Sequence, residues 1–434
     1  MIQTFRNAWK IDELRKKIIF TLFILLLYRL GNAIPVPYVN AASLSSYFVT
    51  VQNTVLGLFN TMSGGAFAQA TIFALSIQPY INASIIIQLL CIAIPALERM
   101  SKDEGEEGKK KIAAITRYST VGIGLLQGFA YYMMLRNNTA TYGILNDTGM
   151  TVLGGIVIVL TFTAGSALVM WLGEQITEYG IGNGISMLLF AGIVSRFPSG
   201  IRNLVAQAVN GSINWVAVIL MLLGALCMVV LIIFINDSER RISVQYSKRV
   251  VGRKQYGGQS THLPMKVNMS GVMPIIFAQS IASLPATIGA FAGWTAKQET
   301  FGGAMMRLFD NSKPFYSILY FFLIIGFSYF YASMTFNPVE VSNNLKKNGG
   351  FIPGFRPGKP TADFMTKVLN KITMFGALYL SVIAIVPIIT GNIFGYQSLA
   401  IGGTSVIIVV GVALETVQSL ESQMLMRQYK GFLE

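Results

Sequence analysis

The chain has 434 residues, 53% of them hydrophobic and 12% charged, with a net charge of +14. A soluble domain carries about 25% charged residues, and here the apolar residues come as long runs instead of stripes, which excludes a soluble fold and points to an all-α polytopic membrane protein. In a soluble chain the basic excess would suggest nucleic acid; in a membrane chain the location of the charges matters more than their sum.

In chain order, TFRNAWKIDELRKK (4–17) mixes Phe5, Trp9 and Leu14 with basic residues, and residues 1–17 read as a cytoplasmic helix lying on the membrane surface. It is not read as a signal peptide, because no small-residue cleavage site follows the next apolar run. That run, 18–34, is the first span, and Pro35 and Pro37 end it. Residues 38–75 form a long external segment without a charged residue. Its last part, 63–75, is apolar but too short to cross a bilayer, which takes about 20 residues. A short apolar piece feeding straight into a span reads as re-entrant. Further spans are expected at 76–97, 116–135, 151–172, 185–197, 215–235, 271–294, 315–336, 372–389 and 401–420. The first of these is studded with Asn82, Ser84 and Gln88, and Ser280 and Ser283 lie in 271–294. Cys91 and Cys227 fall inside apolar runs and read as small hydrophobes; His262 sits in a polar loop with no His or Cys near it.

Ten spans put both termini on one side. Of the 33 Lys and Arg residues, only Arg136, Arg196, Arg202, Lys297, Arg307 and Lys313 then fall on the opposite side, and Arg29 lies within the first span, where it can snorkel outward. The basic side is therefore cytoplasmic. Two cytoplasmic loops, 236–270 and 337–371, are far longer than a connection requires. Gly257 with Gly258, and PGFRPG at 353–358, supply turn chemistry for hairpin-like protrusions.

Several chemistries are missing. There is no His-Glu-x-x-His zinc pair, and GFRPGK at 354–359 has the wrong spacing for a P-loop and is followed by Pro360. No acid pair sits mid-span, as coupling ions or protons would need. No catalytic residue, metal or cofactor is expected. What remains within the spans is neutral and suits either ordinary helix packing or a path for something large and variable.

Six stretches carry a resemblance: PYINASIIIQLL (79–90), GEQITEYGIGNGIS (173–186), RRISVQYSKR (240–249), LPMKVNMSGVMPIIFA (263–278), GGFIPGFRPGKPT (349–361) and IGGTSVIIVVGVALET (401–416). In this order, on ten spans, the chain resembles the SecY/Sec61-alpha family of protein-translocon channels over essentially its whole length. The resemblance implies two pseudo-symmetric halves of five helices, 18–198 and 199–421, around a central pore, followed by a cytoplasmic tail at 422–434. It implies a bacterial plasma-membrane channel that passes unfolded secretory chains, with a lateral gate opening to lipid between the second and seventh spans.

Matched motif to motif, the resemblance places the pore ring at Ile81, Ile85, Leu189, Ile276 and Ile408. Leu189 stands where many relatives have Ile. It makes about 63–75 a short helical plug, beginning Ser63, Gly64, Gly65, Ala66, Phe67 and Ala68. Ser76 and Tyr38 stand where relatives often have Gly. Asn82, Ser84, Gln88, Ser280 and Ser283 fall on the gate helices. Arg356, Lys346, Lys347, Arg253 and Lys254 match the partner-docking loops. The implied partners are the small membrane subunits SecE and SecG, the SecA ATPase, the ribosome, secretory preproteins with their signal peptides, and lipid.

Overall fold

The computed structural model describes residues 2–51, 55–102, 105–211, 214–246, 249–251, 254–256, 260–292, 294, 301–310, 313–394 and 397–430. Its first part is helical: α1 (Ile2–Trp9), α2 (Asp12–Gly31), α3 (Ala41–Val51), α4 (Val55–Met62), α5 (Gln78–Ala93), α6 (Pro95–Lys102), α7 (Gly105–Tyr142), α8 (Asp147–Met150), α9 (Val152–Tyr179), α10 (Gly184–Val194), α11 (Phe197–Val209) and α12 (Trp215–Asn236). Four strands follow: β1 (Glu239–Tyr246), β2 (Arg249–Val251), β3 (Lys254–Tyr256) and β4 (Ser260–Lys266). The chain continues as α13 (Met273–Phe291), α14 (Phe301–Leu308), α15 (Pro314–Thr335), α16 (Pro338–Lys347), β5 (Gly350–Phe351), α17 (Lys359–Phe394) and α18 (Gln397–Lys430).

Side-chain distribution identifies the solvent. In α2 the buried residues Leu14, Ile18, Thr21, Ile24 and Tyr28 recur at helical spacing and face the protein. The opposite face is no more polar: Leu22 is 56% exposed, and Leu226 on α12 is 65% exposed. Apolar patches this extensive do not face water. Among the described residues, six helical stretches are long and apolar enough to cross a membrane: Val152–Tyr179, Gly184–Val209, Trp215–Asn236, Pro314–Lys347, Lys359–Gly391 and Ser405–Met426. The chain is a multi-pass membrane protein. α5 packs on α7, α7 on α9 and α9 on α10; α13 packs on α15, α15 on α17, α17 on α18 and α18 on α12. The two series meet where α10 touches α18 and where α13 touches α5 and α7.

Several expected boundaries are corrected. The amphipathic stretch 4–17 is not one helix, because Ile11 is extended and α2 starts anew at Asp12. The span expected at 76–97 stops at Ala93: Ile94 is extended, as a residue before proline prefers, and Pro95 opens a separate helix. The expected tail at 422–434 continues α18 as far as Lys430.

The expectation of an all-α chain is also corrected. In loop 236–270, β1 pairs antiparallel with β4 from Glu239 opposite Lys266 to Gln245 opposite Ser260. The far loop supplies β5, which pairs on the other edge of β1 through Gln245–Phe351 and Tyr246–Gly350. The two long loops thus share a three-stranded sheet. Its apolar residues Ile242, Val244, Met265 and Ile352 pack on Met365 and Leu369 of α17. Neither loop has enough apolar surface to fold alone; together with the start of α17 they make a small core outside the membrane.

The external segment is equally tied down. Val36 N–H donates to Ala70 O (2.9 Å), Ile72 N–H to Ile34 O (3.0 Å) and Asn146 N–H to Tyr38 O (3.1 Å). Tyr38 has φ 69° and Ser76 φ 50°. These are the two positions where the resemblance leads one to expect glycine, and a left-handed backbone is the conformation that glycine adopts without strain. Replacing Tyr38 with Gly should relieve this strain, minus the entropy cost of glycine, for a net gain of roughly 0.5–1 kcal/mol. The gain should be visible as a higher thermal midpoint in detergent; a lower midpoint would mean that the packing of the ring outweighs the strain.

Candidate functional site: a constriction and its seal

The five residues expected for the ring lie on four helices. Ile81 and Ile85 lie one turn apart on the inner face of α5, Leu189 sits on α10, Ile276 on α13 and Ile408 on α18. All five belong to one apolar cluster, and none is more than 4% exposed. Ile407, beside Ile408, and Ile193, one turn beyond Leu189, belong to the same cluster. Sequence reasoning missed them because an isoleucine on a membrane helix gives no sign of whether it faces lipid or protein.

Local chemistry positions these helices. α5 starts with Pro79 in its first turn, where a missing N–H costs nothing. α10 is capped by Asn183, whose Oδ1 accepts from Ile185 N–H (3.0 Å) and Ser186 N–H (3.3 Å). Gly184 then presses α10 against α9, since a Cβ there would run into the Gly173 carbonyl.

Beside the ring lies a cavity of about 170 Å³, lined by Ile81, Leu189 and Ile276 together with polar residues of α5 and α10 and with Met273, Phe277 and Tyr331. Ile85 and Ile408 do not line it. Ser84 and Gln88 do, and Gln88 Nε2 donates to Ser84 Oγ (3.0 Å). The Gln88 Oε1 atom is buried without a partner. Asn82 is absent from this lining. Ser280 and Ser283 are buried within α13, Ser283 Oγ donating to the Ser280 carbonyl (3.1 Å). The polar face of α5 toward α13 is therefore Ser84 and Gln88.

The segment above the ring differs from the expected short helix at 63–75. Residues 63–77 run as successive turns, and the helix is α4, one step earlier in the chain. Gly64 (φ 69°) and Gly65 (φ 97°) break the helix after Met62. α4 touches α10, α13 and α18, which carry Leu189, Ile276 and Ile408. Met62 is part of the same cluster as the ring. Residues after 65 are anchored elsewhere. Phe67 stacks on Tyr131 (centroids 4.4 Å apart), and Tyr131 Oη donates to the Phe67 carbonyl (2.5 Å). Ala68 N–H donates to Asn60 Oδ1 (2.9 Å). Ala66 and Ala68 are buried.

These features sit in a chain whose residues 71–417 match the family profile described as SecY. The chain belongs to the SecY family. It is 44% identical, over the whole of both chains, to the protein translocase subunit SecY of Streptomyces scabiei. Its fold is that of a solved SecY channel described with a plug domain that stabilises the closed state and maintains a membrane seal (TM-score 0.68, 17% identity, 94% of this chain and 92% of that chain). It also matches Sec61 in the canine ribosome–channel complex from the endoplasmic reticulum (TM-score 0.63, 16% identity, 94% and 92%).

The loop residues expected to dock a SecY-family partner are presented differently from one another. Arg356 is exposed on the turn between β5 and α17. Gly354 and Gly358 both have positive φ. Thr361 Oγ1 donates to the Arg356 carbonyl (2.8 Å), Ser342 Oγ donates to the Gly358 carbonyl (2.8 Å), and Phe355 packs on Phe364 (4.2 Å). The turn is fixed from three sides while its guanidinium points free of any carboxylate among the described residues. Lys346 and Lys347 are exposed in the last turn of α16, where cations also complement the helix dipole. Lys254 opens β3, and Arg253 lies outside the described residues.

Replacing Gly184 with Ala should push α10 off α9, because the blocking atom is backbone and cannot rotate away. A destabilisation of about 1–3 kcal/mol is expected, read as a lower thermal midpoint of the purified protein; an unchanged midpoint would show that the two helices can part freely.

Proposed function

We propose that the chain is a passive protein-conducting channel, which passes unfolded secretory polypeptides across a bacterial plasma membrane and releases membrane-protein segments sideways into lipid. The observation that supports this reading is that Ile81, Ile85, Leu189, Ile276 and Ile408, from α5, α10, α13 and α18, are all buried and all belong to one apolar cluster. An aliphatic constriction suits a cargo of variable sequence: it parts without specific bonds to break, and it resists ions when dry. Whole-length similarity to translocase subunits supports the same conclusion. It is a transport protein and not an enzyme, so energy comes from a partner.

In this reading ten spans form two halves, 18–198 and 199–421, with both termini cytoplasmic, as the distribution of Lys and Arg indicates. The lateral gate runs between α5 and α13, with Ser84 and Gln88 on one side and Ser280 and Ser283 within the other. The unpartnered Gln88 Oε1 fits a surface that exchanges partners when a signal peptide enters. The plug is α4 with the turn at 63–65, resting on the ring; Ala66, Phe67 and Ala68 form its fixed root. Arg356 is the main docking contact, suited to bidentate bonds with carboxylate or RNA phosphate. Lys346 and Lys347 add positive charge for the ribosome or the SecA ATPase, and Arg253 and Lys254 are the basic residues of the other loop assigned the same role. SecE and SecG cover exposed faces of the spans, and α12 offers the barest apolar surface, with only Val218 and Ile232 buried.

The direct test is a stalled secretory chain crosslinked to a cysteine at Ile81 or Ile276, both of which line the same cavity. Crosslinks from both positions are expected; none from either would remove the cavity from the path. In reconstituted vesicles Arg356→Glu should reduce translocation at least tenfold while the melting profile is unchanged, and normal transport would exclude Arg356 from docking. Ile408→Asn should raise ion leak and let chains with defective signal sequences through; unchanged leak and selectivity would take Ile408 out of the constriction.

A further inference from the structure

Two arginines that the transport path does not use converge on the end of α4. Arg29 lies in the last turn of α2, and its Nη1 donates to the Gly64 carbonyl (3.4 Å). Arg196 follows α10 directly, and its Nη1 occupies the space over Gly65: a Cβ there would stand 2.7 Å from it. Asn32, also past the end of α2, donates from Nδ2 to the Ser63 carbonyl (3.4 Å). Ser195 Oγ and the Gly192 carbonyl close the other side of Gly64, each 3.0 Å from where a Cβ would be. The first two carbonyls beyond α4 are thus each met by a side-chain donor, and a second guanidinium stands over the next residue.

The arrangement is electrostatically unusual. The two guanidinium charges repel each other. Among the described residues neither has a carboxylate within ion-pair distance. The external segment 38–75 contains no charged residue to compensate them. What faces them is the end of α4, where the Phe59, Asn60 and Thr61 carbonyls already accept from Ser63, Gly65 and Gly64 N–H, so that Asn32 and Arg29 meet the next two carbonyls, those of Ser63 and Gly64. The site is also tight: Gly64 and Gly65 both have positive φ, which glycine adopts without strain, and a Cβ at either would crowd a guanidinium. Charge neutrality of the 38–75 segment suggests a stopper with no electrostatic tie to its seat. The structure instead ties it by backbone carbonyls, a tie that leaves no trace in the composition of the segment itself.

We propose that Arg29 and Arg196 form a two-arginine latch that holds the C-terminal end of α4 on the closed ring. The proposal rests on the reading of α4 as the helix of the plug. Both arginines are positioning residues, since they act through α4 and touch no part of the ring. The latch sits at the end of α4 that joins the anchored root at 66–68, so releasing it frees the helix to swing while its root stays in place. A passing chain need not break an ion pair to open the channel; it displaces hydrogen bonds to carbonyls, which water can replace.

The test uses the full chain in its membrane complex, in a background with Cys91→Ser and Cys227→Ser and a reporter cysteine at Thr61. Membrane-impermeant maleimide is added to the outer face of vesicles, and iodide leak is recorded in parallel. The double variant Arg29→Gln/Arg196→Gln should raise labelling and leak by about tenfold or more, equivalent to about 1.4 kcal/mol of lost closure, with the melting profile of the complex unchanged. The Lys pair, which keeps charge but loses the planar fork, should fall between the parent and the Gln pair; this graded rescue would not follow from a packing role. If the Gln pair does not fold, the Lys pair carries the test alone, with labelling and leak above the parent expected. Deletion of 55–65 separates the two levels. A deletion that leaks beside a Gln pair that stays sealed overturns the latch and leaves the plug standing. A deletion that stays sealed overturns the plug reading and the latch with it.

Discussion

Backbone amides and carbonyls inside a bilayer have no water to turn to, so every one must find a partner within the protein. Most of this chain meets that constraint by being helical. Residues 63–77 do not, and the structure around them is largely an answer to that deficit. Their groups are met by Ile34 and Val36 on one side, by Asn60 and Tyr131 within the fold, and by Asn32 and Arg29 from the end of α2. Irregular backbone at this depth is tolerated only where protein encloses it or a cavity adjoins it. Here both conditions hold, and the same enclosure brings α4 onto the helices that carry the ring.

Two surfaces of opposite character lie side by side. The residues expected for the ring are aliphatic and buried, so their contacts are apolar and commit to no particular partner. The adjoining cavity is partly polar, with Ser84, Gln88, Asn183 and Ser186 on its walls. A constriction that is dry beside a space that is wettable makes a barrier thin along the path. Thinness matters for a channel that must open for a polypeptide and close again, since a long dry path would have to be hydrated anew with each opening.

Outside the membrane the two long loops depend on each other. β1 has an apolar face formed by Ile242 and Val244, too small to stabilise a hairpin alone. It is covered by Ile352 from the second loop and by the first turns of α17. The turn that presents Arg356 is therefore braced by a sheet whose other strands come from a segment about a hundred residues away in the chain. A load applied at this turn is borne by both loops and passes directly into α17.

Much of the molecule was legible from composition and order alone. Apolar run length sets which segments leave water, because it is a property of single segments against a uniform solvent. The PGFRPG turn is similarly local, and it is found where its residues call for it. The break before Pro95 was equally local, although the expected span ran through it. What could not be read is whatever depends on which face meets which neighbour. The choice of Ser84 and Gln88 over Asn82 at the cavity, the inclusion of Ile407 and Ile193 in the ring's cluster, and the sheet shared by two distant loops are all of this kind. So are the end of α4 at Met62 and the run of turns that follows it: a run of small apolar residues suits a helix or a chain of turns, and the backbone of Ile34 and Val36, the ring of Tyr131 and the side chains of Asn32 and Arg29 decide between them. Sequence by itself determined the solvent and the order of the segments; tertiary structure decided their contacts, because a side chain's role inside a membrane is set by the one neighbour that satisfies it.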